Sequence, residues 1–457
     1  MKVGVELFSI AEGPTGGLTP LVQGVLEALF AGWPEHEYVL FCTPENERLF
    51  DSVPTYAQIL TSPKAIYFPF VDLCAAHLGI NVLLRSYPCP VDLEFPMARQ
   101  VVLIPDLQHE FFPEFFAPDV LSSRRAGFAQ ALASAGAIAT LSAHGRQTLL
   151  AHPSAAPGLD IFLMPPALRC EADDPGIGDL TEAERALVPQ RDYFIYPANL
   201  WPHKNHRRVL QAFERFLKTT SRPCEFVFTG HPEGWEELAR ESPVLPIRHL
   251  GFIRRAFLRV LLSRARALIH FSMFEGFGMP LLEAFAANLP VACSDTTSLP
   301  EVGGDAVLMC DPTDVTAMTA AMIQIAEDES LRARLAERGR ARLPLFSWSD
   351  SAAQLVDACA RAHARAPTPL PSPLFVMKRL SRLLQEIEAD RAARLDLIHR
   401  LDASLTHTTA SLQMVLTESA ARTAVRLTRK VLSPVKRMLR EVMGITGQDA
   451  TPRNRAA

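Results

Sequence analysis

Short apolar runs alternate with longer amphipathic stretches along most of this chain, and that alternation constrains the fold more than any other feature. Val3 to Phe8, Tyr38 to Cys42, Val101 to Ile104, Ala137 to Leu141 and Ile161 to Met164 read as buried strands, with helices at Leu18 to Phe30 and Leu121 to Ser134 between them. A second series has strands at Tyr193 to Tyr196, Glu225 to Thr229, Ala267 to Phe271, Pro290 to Cys293 and Ala306 to Met309. Its helices fall at about 206–218, 255–264, 280–288 and 314–327. Strands that are apolar throughout are covered on both faces, which means parallel sheets connected by helices. Two series predict an α/β protein with two doubly wound, Rossmann-like domains. Ligands of such domains bind beyond the carboxyl ends of the strands, so the chemistry is expected in a cleft between the two.

Residues 171–190, rich in Asp, Glu, Pro and Gly at their start, read as the linker between a first domain (1–170) and a second (191–345). A closing helix is expected within 346–366. Pro367, Pro369, Pro371 and Pro373 then break the helical pattern before a helical tail that runs to residue 457. With 48% hydrophobic and 21% charged residues, the composition is that of a globular protein. The net charge of −4 excludes a protein that coats nucleic acid by bulk charge. That near-neutrality conceals two parts, because residues 367–457 carry a net +7 and the remainder a net −11. The eight cysteines form no C-x-x-C pair and read as reduced thiols of a cytoplasmic protein. No apolar run is long enough for a transmembrane helix, and Glu6 breaks the N-terminal apolar stretch too early for a signal peptide.

The strongest motif is Phe274-Glu275-Gly276-Phe277-Gly278-Met279-Pro280-Leu281-Leu282-Glu283, placed after the strand at 267–271. The two glycines permit a tight turn, and Pro280 suits the start of a helix. The amides of Met279 and Leu281 at that helix N-terminus suit a diphosphate. Glu275 and Glu283 can accept hydroxyls of a sugar and a ribose. From the residues alone, solvated carboxylates beside a helix N-terminus are an equal alternative. The run continues with Ala284, Pro290-Val291, Ser298-Leu299-Pro300-Glu301-Val302 and Asp311-Pro312.

Taken together, these segments resemble the signature of the retaining glycosyltransferases of family four, which have the two-domain GT-B fold. The resemblance covers roughly residues 1–365. It implies that Glu275 contacts the donor sugar, Glu283 the ribose, and the backbone of Gly278, Met279 and Leu281 the diphosphate. In Ala198-Asn199-Leu200-Trp201-Pro202-His203-Lys204-Asn205-His206, it implies a donor-phosphate role for Lys204, where a solvated lysine is the bland alternative. This version resembles a mannosyl- or rhamnosyl-type polysaccharide subgroup. Asn199 stands where the family more often has an Arg, and Arg207 or Arg146 is then expected to supply the second positive charge, with Arg146 facing the phosphates; for Arg146 a helix-surface arginine is an equal alternative. Gly16 and Gly17, in a glycine-rich turn after the first strand, correspond to glycines that approach the donor phosphate and the acceptor. His109, in a Pro-Asp-Leu-Gln-His loop after strand 101–104, is expected to hydrogen-bond the transferred sugar or the acceptor. A structural histidine in an aromatic loop is the alternative, and Asp106 is expected to orient that loop. The backbone at Phe252 and Ile253 corresponds to the base pocket, and Trp348 to a packing anchor on the helix that crosses back to the first domain.

The resemblance implies transfer of a hexose, mannose favoured, from a nucleotide diphosphate sugar to a glycan or lipid-linked glycan in cell-surface polysaccharide or lipopolysaccharide synthesis. GDP-mannose is favoured over UDP-glucose. No D-x-D motif is present, and His203 and His206 lack an obvious third ligand, so no metal is expected. A GT-B-fold epimerase or phosphorylase, or an inactive glycan-binding or scaffolding protein, is the alternative. The leucine-rich stripe from Leu380 to Leu416 suits helix packing or self-association. Residues 421–440 hold seven Lys and Arg and no acid. A basic amphipathic helix there fits an anionic membrane surface, making the protein peripheral on it. A solvated helix, or one docked on the acidic body, is the alternative.

Overall fold

The computed structural model describes residues 1–11, 17–89, 93–169 and 177–365, with a few positions between 378 and 388. The leucine stripe of the tail and the basic segment 421–440 lie outside the described residues. All elements below belong to one compact unit, Met1–Val376.

The first domain is a seven-stranded parallel sheet. Its strands are β1 (Lys2–Glu6), β2 (Glu37–Cys42), β3 (Ala57–Thr61), β4 (Val82–Arg85), β5 (Gln100–Leu103), β6 (Ala137–Thr140) and β7 (Ile161–Leu163), in the order β3-β2-β1-β4-β5-β6-β7. Its helices are α1 (Leu18–Gly32), α2 (Tyr67–Leu78), α3 (Gln108–Phe111), α4 (Pro118–Ser134) and α5 (Ala143–Ala151). The order reverses between β1 and β4, the switch point of a doubly wound fold. Several of its elements, α3 and α5 among them, were not in the pattern read above. The edge strand β3 and the strand β4 went unread, and the apolar stretch from residue 66 to 80 is mostly the helix α2. Gly79, with φ 67°, ends that helix. Asp72, buried within α2, accepts from the amides of Glu94 and Phe95 at 2.8 and 2.9 Å, which explains a carboxylate inside an apolar run.

The segment read as an irregular linker carries structure. Thr181 and Glu184 close a reciprocal capping box on a short helix, α6 (Glu182–Leu187), and Leu180 and Val188 on either side are buried. The capping pair, not an apolar period, makes this helix.

The second domain is a six-stranded parallel sheet. Its strands are β8 (Tyr193–Pro197), β9 (Glu225–Thr229), β10 (Ile247–His249), β11 (Ala267–His270), β12 (Val291–Ser294) and β13 (Val307–Cys310), in the order β10-β9-β8-β11-β12-β13. Helices α7 (His206–Thr219), α8 (Trp235–Glu241), α9 (Arg255–Arg264), α10 (Met279–Ala286), α11 (Leu299–Gly303), α12 (Val315–Glu327) and α13 (Glu329–Arg342) complete it. In α7 the buried Val209, Leu210, Phe213 and Phe216 repeat at helical spacing, and Phe213 and Phe216 meet Phe194 of β8. Asp314 caps α12 by accepting from the amides of Thr316 and Ala317. β10, a three-residue edge strand, also went unread.

The last helix, α14 (Trp348–Ala364), leaves the second domain and packs on the first. Its Ala352, Leu355, Ala358 and Ala362 are buried in the same apolar cluster as Val3, Val25 and Leu84. The Trp348 ring covers Gly24 of α1 so closely that a Cβ there has no room. Ser351 Oγ donates to Pro165 O at 2.6 Å, and Arg361 pairs with Asp160 at 2.8 Å.

Candidate functional site

Two loops meet at the carboxyl ends of β8 and β11. The first leaves β8, makes a single 3₁₀ turn at Pro202–Lys204 and enters α7 through Asn205. Asn205 adopts φ 60°, a left-handed conformation that Asn tolerates. Its side-chain amide donates to Phe271 O at 3.0 Å and Pro312 O at 2.7 Å. The Tyr196 hydroxyl donates to Lys204 O at 2.7 Å, and the Met273 amide to His203 O at 2.7 Å. The lysine is therefore carried by a backbone fixed at three points.

The second loop runs from Phe271 to Gly278. Ser298 Oγ donates to Glu275 O and Phe277 O at 3.0 and 2.9 Å, and the Glu275 amide donates to Thr297 Oγ1 at 3.1 Å. Gly278 has φ 109°, and a Cβ there would lie 2.7 Å from Leu299, so the turn requires glycine twice over.

These loops bring Lys204 and Glu275 together, with Nζ 2.6 Å from Oε1. The Nε2 of His270, the last residue of β11, lies 2.8 Å from the same oxygen. Glu275 is only 9% exposed. Burial raises its pKa, but the charge of Lys204 and the contact with His270 outweigh burial and hold the carboxyl well below its usual range. His203 and His206, beside Lys204, are both pushed down to about 3, chiefly by burial, so both rings are neutral. The His206 ring stacks on Tyr196 at 4.9 Å.

His270 is the member of this cluster that sequence reasoning missed. The signal was present in an imidazole that ends an otherwise apolar strand, five residues before Glu275.

The first domain closes on this loop. Ser142 Oγ donates to Gly276 O at 3.0 Å, and the amide of Ala143, first residue of α5, donates to both oxygens of Glu301 at 2.9 and 2.8 Å. A Cβ on Gly276 would lie 2.7 Å from Asp106 Oδ2. Asp106 Oδ1 accepts from the Gln108 amide, and burial raises its carboxyl pKa. Phe111 and Phe112 approach Phe274, with centroids 5.5 and 6.1 Å apart.

The remaining expected site residues fall in several places. Glu283 is half-buried in α10, its carboxyl pushed up by burial and eased by the charge of Arg255. Met279, at the first helical position, has an amide without an intrahelical acceptor. The Leu281 amide, expected to be open to a diphosphate, instead donates to Gly278 O at 3.0 Å, because the tight glycine turn draws it into the first turn of α10. Phe252 is exposed, and Ile253 is partly buried against the core. Gly17 precedes α1 with open space where a Cβ would stand, and Gly16 lies outside the described residues.

Three expectations are corrected. His109 is fully buried, 4.5 Å from Phe128, and burial pushes its imidazole down to about 4. Its ring fills the core of the first domain and presents no surface to a sugar. Arg146, expected to face the phosphates, donates through Nε to Ile161 O at 2.8 Å on the edge strand β7. Arg207, the other candidate for the second positive charge, is exposed and paired with Glu237 and Glu241 at 3.0 and 2.8 Å. Asn199, at the position in question, accepts from the His231 amide at 2.8 Å and fastens the β8 loop to the β9 loop.

Two facing parallel-sheet domains, the second continuing into a helix that returns to the first, define the GT-B architecture. WaaG, a glycosyltransferase involved in lipopolysaccharide biosynthesis, has the same fold. It superposes with a TM-score of 0.59 at 16% identity, over 78% of this chain and 98% of that one. Anabaena Alr3699/HepE, solved in complex with UDP and glucose, superposes with a TM-score of 0.59 at 14% identity, over 79% and 99%. Residues 180–342 match the family Glycosyl transferases group 1, so the chain carries a glycosyltransferase group 1 domain. The O-antigen chain mannosyltransferase B of Escherichia coli is 37% identical over 172 residues, 36% of this chain and 45% of that protein. The MMP alpha-(1->4)-mannosyltransferase of Mycolicibacterium hassiacum is 31% identical over 170 residues, 36% of this chain and 41% of that protein. The matched stretch thus spans less than half the length of either relative. Among the described residues, no helix is long and apolar enough to cross a membrane.

Proposed function

We propose that this chain is a retaining glycosyltransferase. It moves a hexose, mannose favoured, from a nucleotide diphosphate sugar to a glycan or lipid-linked glycan in the synthesis of a cell-surface polysaccharide. The observation that carries this reading is the Lys204–Glu275–His270 cluster, set beside the N-terminus of α10 at the carboxyl ends of β8 and β11. The mannosyltransferase relatives support mannose as the sugar, and GDP-mannose is the donor proposed with it.

In this reading the Met279 amide and Lys204 hold the donor diphosphate, and Glu275 accepts a hydroxyl of the sugar. The acceptor oxygen bonds to the anomeric carbon as the bond from that carbon to the phosphate oxygen breaks. Attack comes from the face the diphosphate leaves, and the acceptor proton passes to the departing phosphate oxygen. A fixed positive charge at the developing phosphate dianion contributes most in a site closed to water. The contacts of Ser142, Asp106 and Phe111 with the Gly276 loop are the kind that close such a cleft.

The test is release of GDP from GDP-mannose in the presence of a mannose-terminated oligosaccharide, with UDP-glucose in parallel. Wild type is expected to turn over and Glu275→Ala to lose at least about 100-fold in kcat. Equal turnover by both proteins would remove Glu275 from the site. For the basic segment 421–440 we propose contact with an anionic membrane surface. Co-sedimentation with anionic vesicles of the full chain, but not of residues 1–366, is the expected result.

A further inference from the structure

Glu275 receives both of its side-chain partners on the same oxygen. Lys204 Nζ and His270 Nε2 lie 2.6 and 2.8 Å from Oε1, and neither contact uses Oε2. The two partners differ in kind. Lys204 reaches the carboxylate from the β8 loop on a four-carbon stem, and its side chain is 13% exposed. His270 is built into β11 with no exposure, and the Tyr196 ring packs edge-on against it at 5.1 Å. Its Nδ1 has no hydrogen-bond partner, and Nε2 is the ring nitrogen that faces Glu275, so the N–H aimed at the carboxylate is assigned to Nε2. A buried imidazole whose single polar contact is a carboxylate holds that carboxylate, as the third member of a catalytic triad holds its neighbour.

The donor site makes two demands on Lys204. It neutralises Glu275, and in the proposed function it also meets the diphosphate. A lysine leaving a buried carboxylate strands a charge, which is costly unless another partner stays. We propose that His270 is a positioning residue, the permanent partner of Glu275 that frees Lys204 to move to the donor diphosphate. The inference rests on the glycosyltransferase reading above. It goes beyond that reading in assigning the carboxylate a fixed holder and the lysine an exchangeable one. A histidine that merely fills space beside Tyr196 is the competing account, and the two predict different behaviour when the charge on Glu275 is removed.

The experiment is calorimetric titration of the full chain with GDP. His270→Phe is expected to weaken GDP binding about tenfold or more, because moving Lys204 then leaves Glu275 unpartnered. His270→Gln, whose amide can donate to Oε1, is expected to recover most of the loss. Adding Glu275→Gln to His270→Phe is expected to restore affinity to within about threefold of Glu275→Gln alone, since no charge remains to be stranded. If His270→Phe does not fold, His270→Asn, whose amide is too short to reach Glu275, takes its place. GDP binding within twofold of wild type in His270→Phe overturns the inference. So does a loss that persists undiminished in the Glu275→Gln background, which is the signature of a space-filling role. A wild type that binds neither GDP nor UDP overturns the glycosyltransferase reading and this inference with it.

Discussion

Lys204→Met removes one charge from a nearly closed ion pair while keeping the bulk of the side chain. Glu275 is 9% exposed, and Lys204 stands 2.6 Å from it. Stripping one partner from a buried pair costs roughly 3–5 kcal/mol, because the other charge is left in a poor solvent. His270 stays at 2.8 Å, so the expected loss of folding free energy is smaller, about 2–3 kcal/mol at pH 8. The pH dependence identifies the cause. In wild type the Glu275 carboxyl sits well below its ordinary value of 4.5. Its contribution is therefore fully present above about 4.5 and is lost as pH falls through the depressed folded value. In Lys204→Met the largest force lowering that value is gone, and burial raises it. The stranded carboxylate then takes up a proton on acidification, and the stability gap between the two proteins narrows. Urea denaturation at pH 8 and pH 5 reads both effects. Lys204→Met/Glu275→Gln carries no stranded charge and is expected to be more stable than Lys204→Met alone. A single variant that loses less than about 0.5 kcal/mol, or a double variant no better than the single, would refute the reasoning.

Other consequences follow from single contacts. Gly276→Ala places a Cβ 2.7 Å from Asp106 Oδ2, so GDP release from GDP-mannose should fall at least about tenfold while the melting temperature moves little. Gly24→Ala pushes against the Trp348 ring and should cost about 1–3 kcal/mol in urea denaturation, with m unchanged. His206 titrates near 6.5 when unfolded and at about 3 when folded, so the unfolded chain binds the extra proton between those values. Stability therefore falls as pH drops from about 6.5 towards 3, by up to about 1.4 kcal/mol per pH unit for that proton. His206→Phe, which keeps a ring on Tyr196, should flatten this acid limb, and His203 should retain its own share.

Both sheets were legible because most of their strands are apolar throughout, and the alternation with helices is regular. Two of the strands that escaped notice, β3 and β10, lie at sheet edges and are short or less apolar. β3 presents Gln58 to solvent at the sheet edge, and β10 has three residues, of which Arg248 pairs with Glu225. Neither shows the period that marks a strand. Lys204 and Glu275 were legible through their loops, which have a distinctive run of residues. His109 was misjudged because spacing says which loop a side chain occupies but not which way it turns. His270 was missed for a related reason, since one imidazole at a strand end has no sequence pattern of its own. Arg146 and Arg207 show the limit of assigning charge by residue type, because the sequence does not show that Ile161 O and the carboxylates of Glu237 and Glu241 are the partners they take.

The return of α14 to the first domain bears on how the protein is made. The second domain is contiguous from Tyr193 to Arg342, so all of its strands are available before residue 348 is synthesised. The first domain begins the chain, yet Gly24 and its neighbours on α1 are covered only by a helix that ends at Ala364. Domains in a growing chain generally fold as units, with the N-terminal one first. Here the order of completion is inverted. The N-terminal half waits with one helix face open to water until the C-terminal half has emerged. A chain whose residues up to about 345 have left the ribosome while 348–364 are still inside it would therefore hold a finished second domain and an unfinished first one.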